Sequence, residues 1–176
     1  MNKVVYQTLF CALLSHGITC QAADVGLSQV APDCRLDTLE GATQSTLSKY
    51  RGKVVYVDFW ASWCGPCAQS FPFMNSLYKD FKSNGLEIIG VNLDEDASAA
   101  KEFLSSTAAK FTILRDTSGS CPQEFGVKAM PTSYLIDRSG VVRHIHMGFK
   151  PSEAAELRSK IESLLKAGGS GGETKL

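Results

Sequence analysis

Val54-Val55-Tyr56-Val57-Asp58-Phe59-Trp60-Ala61-Ser62-Trp63-Cys64-Gly65-Pro66-Cys67 is the stretch that decides the fold. Its first half is an apolar, β-branched run, the composition of a strand at the centre of a sheet. Its second half carries a cysteine pair separated by Gly-Pro. A helix-like stretch follows, in which Phe71, Met74, Leu77, Tyr78 and Phe81 recur at helical spacing as core residues. The cysteines therefore belong at a strand-to-helix junction, with Cys64 at the helix N-terminus. Free backbone N–H groups and the helix dipole favour an anion there. A thiolate is such an anion, and it is the reactive form of cysteine. Cys64 and Cys67 thus read as a disulfide that opens and closes. Zinc would need two further ligands, and the chain has neither a second Cys-x-x-Cys nor a His-x₃₋₅-His, so no metal is expected. A purely structural bridge over so short a loop removes little chain entropy.

Outward from this core, strands and helices alternate. A short strand is expected over 34–39, and a short helix over 47–50, capped by Ser45 or Thr46 and stopped by Gly52. The helix after Cys64 should run to the Ser83-Asn84-Gly85 stop, with a kink at Pro72. A second buried strand spans 86–93. A helix follows over 97–106, with Phe103 and Leu104 facing inward. Phe111 to Leu114 is a strand, Asp116 to Gly119 a turn, and Cys121 to Phe125 a helical turn ended by Gly126. Residues 132–136 and 141–146 form an antiparallel hairpin around Asp137-Arg138-Ser139-Gly140. Ser152 should cap a last helix to about Lys166, with Ala154, Leu157, Ile161, Leu164 and Leu165 buried. This order predicts an α/β protein: a mixed central sheet with helices on both faces. His144 and His146 point to one face of an edge strand. With no third ligand in view they are expected to be exposed.

The chain has 176 residues, enough for one domain, and 18 basic residues against 18 acidic ones. That balance gives no electrostatic reason to expect nucleic acid or anionic lipid as partner. The first 23 residues read as an export signal: Lys3, an apolar stretch from Val4 to Leu14, then Cys20-Gln21-Ala22-Ala23 before the cut. An uncleaved anchor, or a lipoprotein modified at Cys20, is the alternative. Residues 24–166 would form the domain and 167–176 a flexible, Gly-rich tail. Loss of Lys3 takes the basic count from 18 to 17 and the net charge to about −1. Cleavage also removes Cys11 and Cys20. Cys34, Cys64, Cys67 and Cys121 are left, an even number for an oxidising compartment, with three possible pairings. If Cys64 pairs with Cys67, Cys34 and Cys121 remain for each other.

These features together resemble the thioredoxin superfamily. The run from Val57 to Cys67 is close to its signature, and Met130-Pro131-Thr132 matches its second landmark, a cis-proline segment facing the disulfide. Ala31-Pro32-Asp33, the segment 47–53, Phe71-Pro72 and the insert near 94–110 are similar to the exported TlpA/ResA-like branch. The resemblance covers roughly residues 30–166. It implies a thioredoxin-like fold and an exported thiol-disulfide oxidoreductase, periplasmic or otherwise extracytoplasmic. Cys64 would attack a substrate disulfide, and Cys67 would resolve the mixed disulfide. Asp58, a lone carboxylate in an apolar strand, should have a raised pKa and take the Cys67 proton. Trp63, Gly65, Pro66, Met130 and Pro131 would contact substrate, with Met130 offering edge hydrogen bonds to an extended chain. Trp60 would lie at the rim or in the core.

Three departures stand out. Many ResA-like proteins carry a glutamate where this chain has Ser70. Cys34 replaces the usual aromatic after Ala-Pro-Asp, and Cys121 has no standard counterpart. A structural disulfide between Cys34 and Cys121 is one reading; two free buried thiols or a second redox relay are the others. Gly-Pro between the active cysteines resembles the reducing members, at about −270 mV against about −120 mV for DsbA, a gap of about 7 kcal/mol. No cofactor beyond the Cys64–Cys67 disulfide is implied. A membrane thiol transporter would supply electrons, and exported proteins such as apocytochromes or metal chaperones would receive them. Rival readings are an oxidase or isomerase of the same fold, a non-catalytic binding module, and a peroxidase.

Overall fold

The computed structural model describes residues 25–41 and 45–167. The expected export signal, Cys11, Cys20 and the tail beyond Ala167 lie outside the described residues. In chain order the elements are β1 (Arg35–Leu36), β2 (Ser45–Thr46), β3 (Val54–Trp60), α1 (Gly65–Phe81), β4 (Leu86–Asn92), α2 (Ala97–Ser106), β5 (Thr112–Arg115), α3 (Ser120–Phe125), β6 (Thr132–Ile136), β7 (Val142–Met147) and α4 (Ala154–Ala167). The main sheet has five strands in the order β5-β4-β3-β6-β7. β3, β4 and β5 run parallel, whereas β6 and β7 are antiparallel to their neighbours. All seven residues of β3 are buried, as its apolar run requires of a central strand.

Alternation along β3 divides the interior in two. Val55, Val57 and Phe59 face α3 and the N-terminal segment, packing with Cys34, Leu36, Cys121, Phe125 and Tyr134. Val54, Tyr56 and Trp60 face α1, α2 and α4, packing with Phe71, Met74, Leu77, Ala100, Ile161 and Leu165. Trp60 is wholly in this core, edge-on to Phe71 at 5.1 Å. α1 runs through Pro72 to Phe81, and a single 3₁₀ turn then ends at Gly85, whose φ of +93° is open to glycine at little cost.

Five local expectations are corrected. The strand over 34–39 shrinks to Arg35–Leu36 because its partner β2 is equally short, and Asp37 bridges instead to Arg115. Neither Ser45 nor Thr46 caps the 47–50 turn: the Ser48 N–H donates to Asp33 Oδ1 at 2.7 Å, so the cap comes from far upstream. Ser152 is no cap either, since it sits inside a 3₁₀ turn, Pro151–Glu153, that leads into α4. α4 then extends one residue past the expected boundary, to Ala167. His144 and His146 are partly buried rather than exposed, because the start of α4 lies against them.

Candidate active site

Cys64 is the N-cap of α1, and its sulfur accepts the Cys67 N–H at 3.2 Å. Pro66 costs the helix nothing here, since a first-turn N–H has no intrahelical partner. Cys64 and Cys67 are disulfide-bonded, with Cα atoms 5.2 Å apart. In this oxidised form Cys64 keeps 5 % of its surface and Cys67 none, whereas Trp63 beside them is 73 % exposed. Cys64 therefore keeps a small exposed surface, and Cys67 is sealed. Once the disulfide opens, the same N–H and the helix end stabilise a Cys64 thiolate.

The turn before Cys64 is fixed from β4. Asp94, in the loop after that strand, accepts the Ser62 N–H at 3.0 Å and the Ser62 hydroxyl at 3.0 Å. The Asn92 side-chain amide donates to the same carboxylate at 2.7 Å, and the Arg115 guanidinium bonds the carbonyls of Asp94 and Glu95. Asp94 is buried, so these bonds form away from competing water.

Beneath the motif, Asp58 lies on the α1 face of β3, 1 % exposed. Its Oδ1 accepts the Ser133 hydroxyl at 2.6 Å, and Ser133 Oγ in turn accepts the Tyr56 hydroxyl at 2.8 Å. Asp58 Oδ2 is buried with no hydrogen bond. Burial pushes the Asp58 carboxyl up to about 7, the Ser133 bond pulling the other way. Burial, and then the Asp58 charge, push the Tyr56 phenol upward as well. Burial thus brings the Asp58 carboxyl near neutrality, on the same face of β3 as Tyr56 and Trp60, which pack in the cluster that holds Cys67. Ser70 spends its hydroxyl on the Cys67 carbonyl at 2.9 Å, inside α1.

The Met130–Pro131 peptide is cis, and Met130 packs against the same cluster. Gly148 N–H donates to the Pro131 carbonyl at 2.7 Å, and Phe149 stacks on Phe73 of α1 at 5.5 Å, so the loop after β7 joins the two segments. Met147, at the end of β7 opposite Thr132, is 70 % exposed. Far from the motif along the chain, the sulfurs of Cys34 and Cys121 are bonded across a Cα separation of 5.4 Å, on the α3 side of the sheet. Among the described residues no group of three or more His, Cys, Asp or Glu could hold a metal.

Ser62, Asp94, Asn92, Tyr56 and Ser133 were not singled out from the sequence. Tyr56 could have been, since it sits two residues from Asp58 on the same face. Ser133 meets Asp58 only through strand register, and Asp94 meets Ser62 only through a loop contact across 32 residues.

Residues 27–165 match the family model described as Redoxin. The thiol-disulfide oxidoreductase ResA of Geobacillus thermodenitrificans (strain NG80-2) is 35 % identical over 167 residues, covering 93 % of this chain and 94 % of that protein. ResA of Bacillus cereus (strain ATCC 10987 / NRS 248) is 31 % identical over 163 residues, covering 88 % and 94 %. Among solved structures, a candidate thiol:disulfide interchange protein DsbE from Chlorobium tepidum superposes with a TM-score of 0.77 at 44 % identity, covering 81 % of this chain and 99 % of that one. A candidate protein disulfide isomerase from Bacteroides thetaiotaomicron gives 0.72 at 30 % identity, covering 81 % and 91 %.

Proposed function

From the premise that this chain belongs to the Redoxin family, is a TlpA/ResA-like member of the thioredoxin superfamily and is a thiol-disulfide oxidoreductase, we propose that it is an exported reductase of protein disulfides. The observation that carries the direction is the Cys64-Gly65-Pro66-Cys67 dithiol set over a buried Asp58 that titrates at about 7. The Cys64 thiolate attacks a substrate disulfide, expelling one substrate thiolate and forming a mixed disulfide. Asp58 takes the proton of Cys67. The Cys67 thiolate then attacks Cys64 Sγ, closing the Cys64–Cys67 disulfide and releasing the second substrate thiolate. The electron carrier is the dithiol itself, with no further cofactor. Trp63, Gly65, Pro66, Met130 and Pro131 form the substrate-facing rim, and Met130 offers backbone groups to an extended segment.

Export places the work in the periplasm or another extracytoplasmic space, after cleavage of residues 1–23. Among the described residues no helix is long and apolar enough to cross a membrane. A reductase working there draws electrons from a membrane thiol transporter and passes them to exported disulfide proteins such as apocytochromes or metal chaperones. Cys34–Cys121 serves as a structural bridge, since both residues are almost wholly buried.

The likeness to a candidate disulfide isomerase favours one rival, an isomerase or oxidase of the same fold. The reduction potential separates the two. Equilibration with glutathione or dithiothreitol, in a Cys34→Ser, Cys121→Ser background, is expected to give a value below about −230 mV. A value near the DsbA end, about −120 mV, would reverse the proposed direction.

A further inference from the structure

A carboxylate that is to take a proton works best with one oxygen held and the other free. Asp58 meets both conditions inside the sheet. Opposite it on β6 stands Ser133, and opposite it on β4 stands Gly90, which has no side chain to offer. Tyr56 lies two residues before Asp58, on the same face of β3. Tyr56, Asp58 and Ser133 are 2 %, 1 % and 3 % exposed, so water does not compete for their polar atoms. The direction of their hydrogen bonds is forced. An ionised carboxylate only accepts, so Ser133 gives its hydroxyl proton to Asp58 Oδ1, at 2.6 Å. Ser133 Oγ then has only lone pairs left for Tyr56, so the phenol donates, at 2.8 Å. Burial and the Asp58 charge push the Tyr56 phenol upward, so it keeps its proton through the neutral range. Both hydroxyl protons therefore run toward Oδ1, and Oδ2 is left buried without a hydrogen bond.

We propose that Ser133 and Tyr56 are positioning residues for Asp58: their hydroxyls hold Oδ1, so that the Cys67 proton is taken at Oδ2. The inference rests on the reading of Asp58 as the base for Cys67. On closure the Cys67 S–H proton passes to Oδ2, the freed sulfur pair forms the bond to Cys64 Sγ, and the substrate thiolate leaves with its own pair. When the Cys64–Cys67 disulfide is reduced again, the proton returns from Oδ2 to Cys67. Neither hydroxyl has to turn, since Oδ1 accepts from Ser133 in both states. The same chain opposes burial. Desolvation favours the protonated acid, whereas a hydrogen bond to the anion favours the base. The titratable groups nearest in the fold are Tyr56 on β3 and Cys67 on α1, with Ala100 of α2 and Ile161 and Leu165 of α4 packed around them. His146 of β7 lies one strand beyond Ser133, beside Glu153. Losing the Ser133 bond would leave Asp58 holding its own proton at neutral pH, unable to take another.

The test has two readouts. The first is a carboxyl-carbon NMR titration of Asp58 in the oxidised protein, where neither Cys64 nor Cys67 titrates. Ser133→Ala should raise the Asp58 midpoint by about one pH unit, the scale of one hydrogen bond to a charged group. Tyr56→Phe should raise it by less, and should add nothing once Ser133 is alanine. Ser133→Thr, which keeps the hydroxyl, should return the midpoint to its wild-type position. The second readout is closure in the reduced protein, followed with excess dithiobis(nitrobenzoate). Attack by Cys64 releases one thionitrobenzoate, and attack by Cys67 releases the second at a rate independent of reagent concentration. Ser133→Ala should slow that second release about fivefold at pH 7 and leave it near the wild-type rate at about pH 9, as a one-unit rise in the midpoint requires. Asp58→Asn should slow it about a hundredfold at pH 7, with no further loss from Ser133→Ala. An unmoved Asp58 midpoint in Ser133→Ala, or a loss of rate equal at both pH values, would overturn the positioning role alone. If Ser133→Ala does not fold, an unmoved midpoint in Tyr56→Phe does the same. Wild-type closure in Asp58→Asn would overturn the base assignment and this inference with it, and failure of the wild type to reduce insulin would overturn the reductase reading itself.

Discussion

At the scale of single residues, Asp58 couples chemistry to stability. Its carboxyl rises from 3.8 to about 7 in the fold, mainly through burial. The folded state therefore binds a proton that the unfolded chain has already lost between about pH 4 and 7. Stability from this group is full in acid and declines as pH rises through that window, by about 4 kcal/mol at 1.36 kcal/mol per pKa unit. Asp58→Asn cannot ionise, so it should match the wild type in acid and exceed its stability by roughly 3–4 kcal/mol at pH 8. Urea unfolding at both pH values checks this, and parallel pH profiles would refute it. Asp94 makes the opposite case, a buried carboxylate that is fully used. Asp94→Ala leaves the Ser62 N–H and the Asn92 amide without their acceptor, at a cost of roughly 2–4 kcal/mol. The turn before Cys64 then loosens, so insulin reduction should slow as well. Asp94→Asn, which keeps an acceptor oxygen, should lose less of both.

At the scale of elements, the parts legible in the sequence were those specified by neighbours along the chain. The bounds of α2, the Gly85 stop after α1 and its 3₁₀ turn, and the hairpin of β6 and β7 follow from caps, glycines and periodicity. The length of β1 and the true cap of the 47–50 turn depend on partners elsewhere in the fold, so local reading overran one and misassigned the other. The site divides the same way. Cys64, Cys67 and Asp58 sit in one strand–helix stretch and were read directly. Ser133 joins them only through the register of β3 and β6, which no local pattern encodes. Register also explains Gly90, which lies opposite Asp58 on β4. A Cβ there would stand 2.9 Å from Ile113 Cδ1 and 3.1 Å from Trp60 Nε1. Gly90→Ala should therefore destabilise the protein by about 1–3 kcal/mol through overpacking, read as a drop in the urea midpoint at unchanged slope. An unaltered midpoint would show that the core gives way there freely.

At the scale of the whole molecule, the Cys34–Cys121 bridge joins the segment before β1 to α3 and spans 87 residues of sequence. By the loop-closure relation a loop of that length stabilises the fold by about 4–5 kcal/mol, against about 1.6 kcal/mol for one as short as Cys64–Cys67. Cys34→Ser with Cys121→Ser should therefore lower the unfolding free energy by roughly 3–4 kcal/mol, while insulin reduction persists. Loss of insulin reduction in the still-folded double variant would make the second pair part of the electron path. The two bridges are nested, the short loop lying inside the long one. That nesting sets an order for oxidative folding from the fully reduced chain. Short loops close at lower entropic cost, so Cys64 and Cys67 find each other first. Once joined, they are withdrawn as partners for Cys34 and Cys121, and a choice among three pairings collapses to one. In its own biogenesis the working dithiol thus acts as a protecting group, shielding the scaffold bridge from scrambling before either has met a substrate.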